Sequence, residues 1–183
     1  MDKPSVDRQK TERTLQHFQL LRQDIREEMK YRMQQRDNYS IQMIIALGTL
    51  VGIAATSITT QIQSNRALIA APLISIYYTI LILYSYRVHR LLSKYLREMI
   101  EPELSIRCDI SIDFEWENWY IKNAVPGIRK SFFLGSLWVT CILSPLYIAF
   151  SEQWQGSFLL PLAIVSALYL FVAIWITKSF WNG

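Results

Sequence analysis

The residue types best suited to metal or nucleophilic chemistry are few in this sequence and poorly placed for it. His17 and His89 lie far apart along the chain. Cys108 falls in a charged segment, whereas Cys141 falls in a long apolar one. No metal-binding spacing results, and the positions of the two cysteines exclude a disulfide between them. The sequence therefore predicts neither a metal site nor a disulfide.

Two other patterns that commonly carry chemistry are also missing from the sequence. Glu115 and Glu117 are two positions apart, which places them on different faces of a helix. The six glycines are too scattered to form a phosphate-binding loop. We therefore expect no catalytic residues, no cofactor and no enzymatic activity.

Polar side chains share one face of the least apolar of four long uncharged segments, and two glycines lie beside them. The residues are Gln42, Thr49, Thr56 and Gln63, with Gly48 and Gly52. The two glycines form a GxxxG pair, which permits close approach of two membrane helices. Because polar side chains are costly in hydrocarbon, this face must contact either another helix or a wet cavity. Both explanations stay open, and helix packing is the commoner of the two.

Four basic residues lie on one side of the helix that follows the second uncharged segment. They are Arg87, Arg90, Lys94 and Arg97. Repeated around a ring of copies, they would form a cationic vestibule able to concentrate a nucleotide or an oligonucleotide. The alternative is headgroup anchoring by the first two residues, with the last two neutralised by Glu98 and Glu101. The charged N-terminal segment alternates in sign, so recognition of a specific DNA sequence is not expected.

A single helix over Ala67–Glu101 is expected to position these basic residues. Its first part, Ala67–Tyr86, carries no charge and is long enough to cross a membrane. Beyond it, apolar residues recur at helical spacing and predict a cytosolic packing seam. The seam residues include Leu91, Leu92, Tyr95, Leu96 and Met99.

The partner expected for this seam is an N-terminal helix over Thr11–Gln35. Its apolar residues form one stripe, namely Leu15, Phe18, Leu21, Ile25 and Met29. Two such apolar faces left in water would both be unstable, so we expect them to pack on each other. Neither Gly nor Pro occurs between Ser5 and Leu47, and the helix is therefore expected to continue unbroken into the first span.

Four spans are predicted, and 51% of the 183 residues are hydrophobic. The spans cover Ile41–Ile58, Ala67–Tyr86, Ser131–Phe150 and Phe158–Thr177. A short helix is predicted over Phe114–Asn123, with a strand as the alternative for residues 109–116. The expected organisation is a cytosolic helix (1–37), a span pair (38–86), a cytosolic segment (87–130), a second span pair (131–178) and a stub (179–183). The predicted fold class is an all-α, polytopic membrane protein with a cytosolic helical collar.

The basic residues predict the orientation of the spans. Segment 1–37 has nine Lys or Arg, segment 87–130 has eight and Lys178 adds one, whereas Arg66 is the single basic residue on the other side. The positive-inside rule therefore places both termini and the 87–130 segment on the cytoplasmic side.

Reporter fusions test this orientation. A reporter active only in the periplasm is expected to be active when fused after Gln63 or Gln155, and silent when fused after Pro102 or Gly183, because of the eighteen-to-one division of basic residues. An active fusion after Pro102 would overturn the four-span topology.

Several motifs resemble those of a widespread, largely uncharacterised family of bacterial four-span membrane proteins. The matching residues are Leu21-Arg22-Gln23-Asp24-Ile25, Arg32, Arg36, the segment Tyr95–Pro102 and Trp116-Glu117. The resemblance covers about the first two-thirds of the chain. It departs near the inner end of the second span, where family members carry an acidic residue and this sequence has Arg87 and His89. Small multi-span proteins similar to this family act as membrane-permeabilising effectors in antiphage systems, some under nucleotide or oligonucleotide control.

Two functions follow as expectations. The first is a homo-oligomeric, channel-like effector whose copies associate through the first span. Its cytosolic collar gates the opening, under the control of a nucleotide or an oligonucleotide. The second is a non-conducting membrane scaffold or sensor subunit that docks a cytosolic protein. Membrane lipid and further copies of the chain are the partners expected in the first case.

Overall fold

The protein is almost wholly helical. A computed structural model describes residues 3–60, 64–109, 111, 128–151 and 156–181. Apart from Asp109 and Ser111, every described residue lies in a helix, which confirms the predicted all-α class for this part of the chain. In chain order the helices are α1 (Lys3–Thr60), a 3₁₀ helix (Ser64–Ala70), α2 (Ala71–Tyr95), a π-helical turn (Leu96–Ile100), α3 (Glu101–Cys108), α4 (Ile128–Ser151) and α5 (Gly156–Trp181). The short helix predicted over Phe114–Asn123 lies outside the described residues.

Four helical segments are long and apolar enough to cross a membrane. They lie within Thr11–Ala55, Arg66–Cys108, Ser131–Ser151 and Leu159–Ser179. Their number and order match the four predicted spans, and they indicate a multi-pass membrane protein.

Helix α1 is continuous over 58 residues, as the absence of Gly and Pro in its first part predicted. Gly48 and Gly52 lie in its second half without interrupting it. The expected single helix over Ala67–Glu101 is, in contrast, divided. It begins with a 3₁₀ helix over Ser64–Ala70 and contains a π-helical turn before α3.

The chain divides into two compact units. One contains Met1–Gln35 and Ser85–Pro126, and we call it the amphipathic unit. The other contains Arg36–Tyr84 and Gly127–Gly183, and we call it the span unit. Each unit thus combines segments that are distant in the sequence.

The core of the amphipathic unit joins α1 to the helices that follow Ser85. Its buried residues are Ile25, Met29, Leu96, Ile100 and Leu104, with Leu15, Phe18, Leu21 and Leu92 packed against them. The predicted packing of the α1 stripe on the 88–100 face is therefore confirmed. Two polar contacts add to this core: the Ser85 hydroxyl donates to the Arg32 carbonyl at 2.9 Å, and the Arg107 guanidinium lies 5.7 Å from the Phe18 ring centre.

The π-helical turn explains part of the difference between this core and the predicted seam, namely which residues from Leu96 onward are buried. The Glu101 N–H donates to the Leu96 carbonyl, five residues earlier instead of four. Pro102 gives a reason for the wider turn, because a proline inside a regular α-helix clashes with the carbonyl four residues before it. Steps of four residues drift by about 40° along a regular α-helix. The wider turn offsets part of this drift, so that Leu96, Ile100 and Leu104 stay on one face.

The core of the span unit joins α2, α4 and α5. One cluster contains Ile76, Leu134, Leu137, Cys141, Ala173 and Ile176. A second cluster, formed by Ile148, Ala149 and Leu162, packs against Leu68 and Ile69 of the 3₁₀ helix. The Tyr169 hydroxyl donates to the Ile69 carbonyl at 3.1 Å, which ties the 3₁₀ helix to α5. Backbone polar groups need such internal partners within hydrocarbon.

Candidate functional site

The polar and small stripe of the first span lies on the surface of the chain. Gln42, Gly48, Thr49 and Gly52 are all exposed. A Cβ atom built on either glycine meets no atom within 4 Å. The Thr49 hydroxyl donates to the Ile45 carbonyl of its own helix at 2.9 Å. The side chain of Thr56 and all of Gln63 lie outside the described residues.

This placement answers part of the question that the sequence left open. Within the described parts of one copy, no other helix packs against the GxxxG pair. The first span is also the least buried of the four, with 11% of its most apolar window buried against 33% in the second span. Its exposed stripe must therefore face lipid, water or another protein molecule.

Two of the four residues of the predicted cationic face share one carboxylate. Arg87, Arg90 and Lys94 are exposed, whereas Arg97 is half-buried. The Glu98 carboxylate lies 3.9 Å from the Lys94 ammonium and 3.4 Å from the Arg97 guanidinium. For Lys94 and Arg97, this geometry favours the alternative in which a neighbouring glutamate pairs with them.

The expectation that Glu101 helps to neutralise Lys94 and Arg97 is wrong. Regular helical spacing places Glu101 on the charged face beside Glu98, but its side chain is 0% exposed. The π-helical turn carries it away from that face. Glu98 is thus the acidic residue that pairs with both Lys94 and Arg97.

The predicted packing seam is divided between buried and exposed residues. Leu96 is 0% exposed and Leu92 packs against the core that contains it. Leu91, Tyr95 and Met99 are exposed instead. They belong to a face of the amphipathic unit that one copy of the chain leaves uncovered.

The histidines and cysteines do not gather into a site in the part of the chain that the structure describes. Cys108 is exposed and Cys141 is buried, in different units. No group of three His, Cys, Asp or Glu side chains suited to a metal ion occurs among the described residues. Glu115 and Glu117 lie outside those residues.

A pocket lies on α1, at residues that the sequence did not indicate as a site. Its volume is about 350 Å³, it is open to solvent, and it is lined by Gln19, Arg22, Gln23, Arg26, Glu27 and Lys30. These positions follow the three- and four-residue spacing of one helix face, beside the apolar stripe that enters the core. That spacing is the signal that could have revealed them, but the mixed charges of the segment suggested an ordinary solvated surface.

No family model, curated protein or solved structure matches this chain. The resemblance to the four-span family accordingly stays an expectation from the motifs.

Proposed function

We propose that the chain is a homo-oligomeric, channel-like membrane effector. The exposed stripe of the first span carries this proposal. The Thr49 hydroxyl bonds to its own helix, but a glycine leaves the helix backbone poorly covered by lipid, and a glutamine carboxamide is costly in hydrocarbon. A second copy or a water-filled opening satisfies these groups better than lipid does.

A ring of copies uses both properties of this stripe. Gly48 and Gly52 allow neighbouring helices to approach closely, since nothing in the chain itself occupies the space beside them. Gln42 and Thr49 would then line an opening that is polar but uncharged. Such an opening is expected to select weakly between cations and anions.

The proposed orientation places both termini and the amphipathic unit in the cytoplasm of a bacterial inner membrane. It is supported by the eighteen basic residues on one side of the spans against one on the other. The amphipathic units of neighbouring copies would then form the collar around the opening. Action in an antiphage system is supported by the motif resemblance alone.

Exposed apolar side chains of the amphipathic unit support contacts with protein. They include Leu20, Leu91, Tyr95, Met99 and Ile106, the last of which is 78% exposed. Lipid would not cover such residues in the cytoplasm, so a further copy or another protein is expected to do so. This observation also favours the second candidate, a non-conducting scaffold that docks a cytosolic protein.

Ion flux through liposomes that contain the purified protein separates the two functions. The wild-type protein is expected to pass ions, and Thr49→Leu is expected to lower the flux severalfold while leaving the oligomer intact, because a leucine dries the opening. Thr140→Leu is the matched control, since the Thr140 hydroxyl also bonds to carbonyls of its own helix but lies on α4. Wild-type protein that assembles yet passes no ions would support the scaffold.

A further inference from the structure

The pocket on α1 collects more positive than negative charge. Three of its lining residues are basic, Arg22, Arg26 and Lys30, and one is acidic, Glu27. The basic residues are four positions apart, so each lies one helical turn from the next. Like charges at this spacing destabilise a helix, and a bound anion would relieve their repulsion.

Two other basic side chains of the amphipathic unit have a carboxylate partner one helical turn away. Arg32 lies 2.7 Å from Glu28, and Arg107 lies 3.5 Å from Glu103. Among the residues that the structure describes, Arg26 and Lys30 have no such partner. Their charge is therefore more available to a ligand than that of Lys94 and Arg97, which share the Glu98 carboxylate.

The remaining lining residues give the pocket further hydrogen-bonding groups. The Gln23 amide donates to the Glu27 carboxylate at 3.0 Å, which holds the glutamine side chain in one orientation. Gln19 contributes a second carboxamide, and such groups both donate and accept hydrogen bonds. The volume of about 350 Å³ is at the lower end of that of small-molecule sites.

From these features we propose that the α1 pocket binds a phosphate-bearing anion of about nucleotide size. Arg26 and Lys30 contact the phosphate, and the glutamines contact the rest of the ligand. Arginine suits phosphate because its planar fork matches the phosphate oxygens, and lysine acts as a point charge. The source of the phosphate is either a free nucleotide or a phospholipid headgroup. Control of an opening by this ligand rests on the proposed channel function, whereas binding itself does not.

The test is titration of ADP into the full-length protein in nanodiscs of zwitterionic phosphatidylcholine, followed by calorimetry. Wild-type protein is expected to bind ADP, and the double variant Arg26→Gln/Lys30→Gln is expected to bind it about tenfold or more weakly, since each lost charge removes a charge-assisted hydrogen bond. Glu27→Gln is expected to bind more tightly because it removes the one acidic side chain of the described lining. Arg13→Gln is the matched control, because Arg13 is an exposed arginine of α1 outside the pocket lining, and its affinity is expected to be unchanged.

Nanodiscs with anionic phosphatidylglycerol distinguish the two sources of phosphate. Equal ADP affinity in both kinds of nanodisc supports a free nucleotide. Weaker ADP binding in the anionic discs, together with loss of binding to phosphatidylglycerol vesicles in the double variant, supports a headgroup. The site is refuted if wild-type protein binds neither ADP nor the vesicles, or if the double variant binds them as well as wild type.

The binding site and the proposed channel can be refuted separately, because ADP binding and ion flux are measured independently. Protein that binds ADP through Arg26 and Lys30 but passes no ions retains the site and loses the channel. Protein that conducts but binds neither probe retains the channel and loses the site.

Discussion

Leu96→Asp is expected to unfold the amphipathic unit. The Leu96 side chain is 0% exposed and lies in the core with Ile25 and Met29 of α1. The substitution removes a buried leucine side chain, which typically costs about 2–5 kcal/mol, and adds the cost of a buried carboxylate. The sum is comparable to the whole stability of a small unit. Hydrogen exchange of residues 11–35 in the purified membrane protein measures the effect, and their protection is expected to be lost.

Leu91→Asp is the control for this substitution. It makes the same chemical change on the preceding helix, at a side chain that is 60% exposed. Within a single copy its effect is expected to be about 1 kcal/mol or less. Equal loss of protection in the two variants would show that the core around Leu96 is not what stabilises the unit.

Gly52→Leu is expected to break the oligomer while leaving the fold of each copy intact. A Cβ at this position meets no atom of the chain within 4 Å, so the larger side chain is accommodated in the monomer. Leucine also favours a helix over glycine by about 0.8–1 kcal/mol in soluble helices. In the oligomer the same side chain would hold apart two helices that approach through Gly48 and Gly52. We expect the association constant to fall about tenfold or more, measured by the mass of the particles in detergent.

Val51→Leu provides the comparison for Gly52→Leu. Val51 is exposed and adjacent, but it lies to one side of the GxxxG face. Its substitution is expected to leave the oligomer unchanged. An oligomer that survives Gly52→Leu would remove the first span from the interface and with it the support for a pore there.

Features set by local spacing could be predicted from the sequence. The long α1 follows from a stretch without Gly or Pro, and the pairing of its stripe with the later seam follows from two apolar faces that each need a partner. Ile25 and Met29 were predicted to belong to this stripe and are both buried. The four spans follow from the length of the uncharged segments.

The register of the seam could not be predicted, because it depends on a change of helical pitch. With regular spacing, Met99 and Ile100 belong to one seam and Glu101 to the charged face. In the structure Met99 is exposed, whereas Ile100 and Glu101 are both buried. Pro102 was the visible sign that the helix is disturbed here, but a proline does not by itself specify a π-helical turn.

Which side chains are exposed in a single copy of the chain could not be predicted from the sequence either. The composition of the Gln42–Gly52 stripe predicted that it avoids lipid, but not whether another helix of the same chain covers it. Likewise, the charges of residues 19–30 do not show which of them have ion-pair partners. For Arg26 and Lys30 this depends on where the neighbouring carboxylates point.

The discontinuous amphipathic unit imposes an order of events during translation. Its core joins Ile25 to Leu104, and the first two spans lie between them in the sequence. At about 5–20 residues per second, Leu104 is synthesised roughly 4–16 seconds after Ile25. During this interval the α1 stripe has no partner from its own chain, and the nascent chain must keep it on the membrane surface or on a chaperone. The core of the amphipathic unit can therefore form only after the second span has been synthesised.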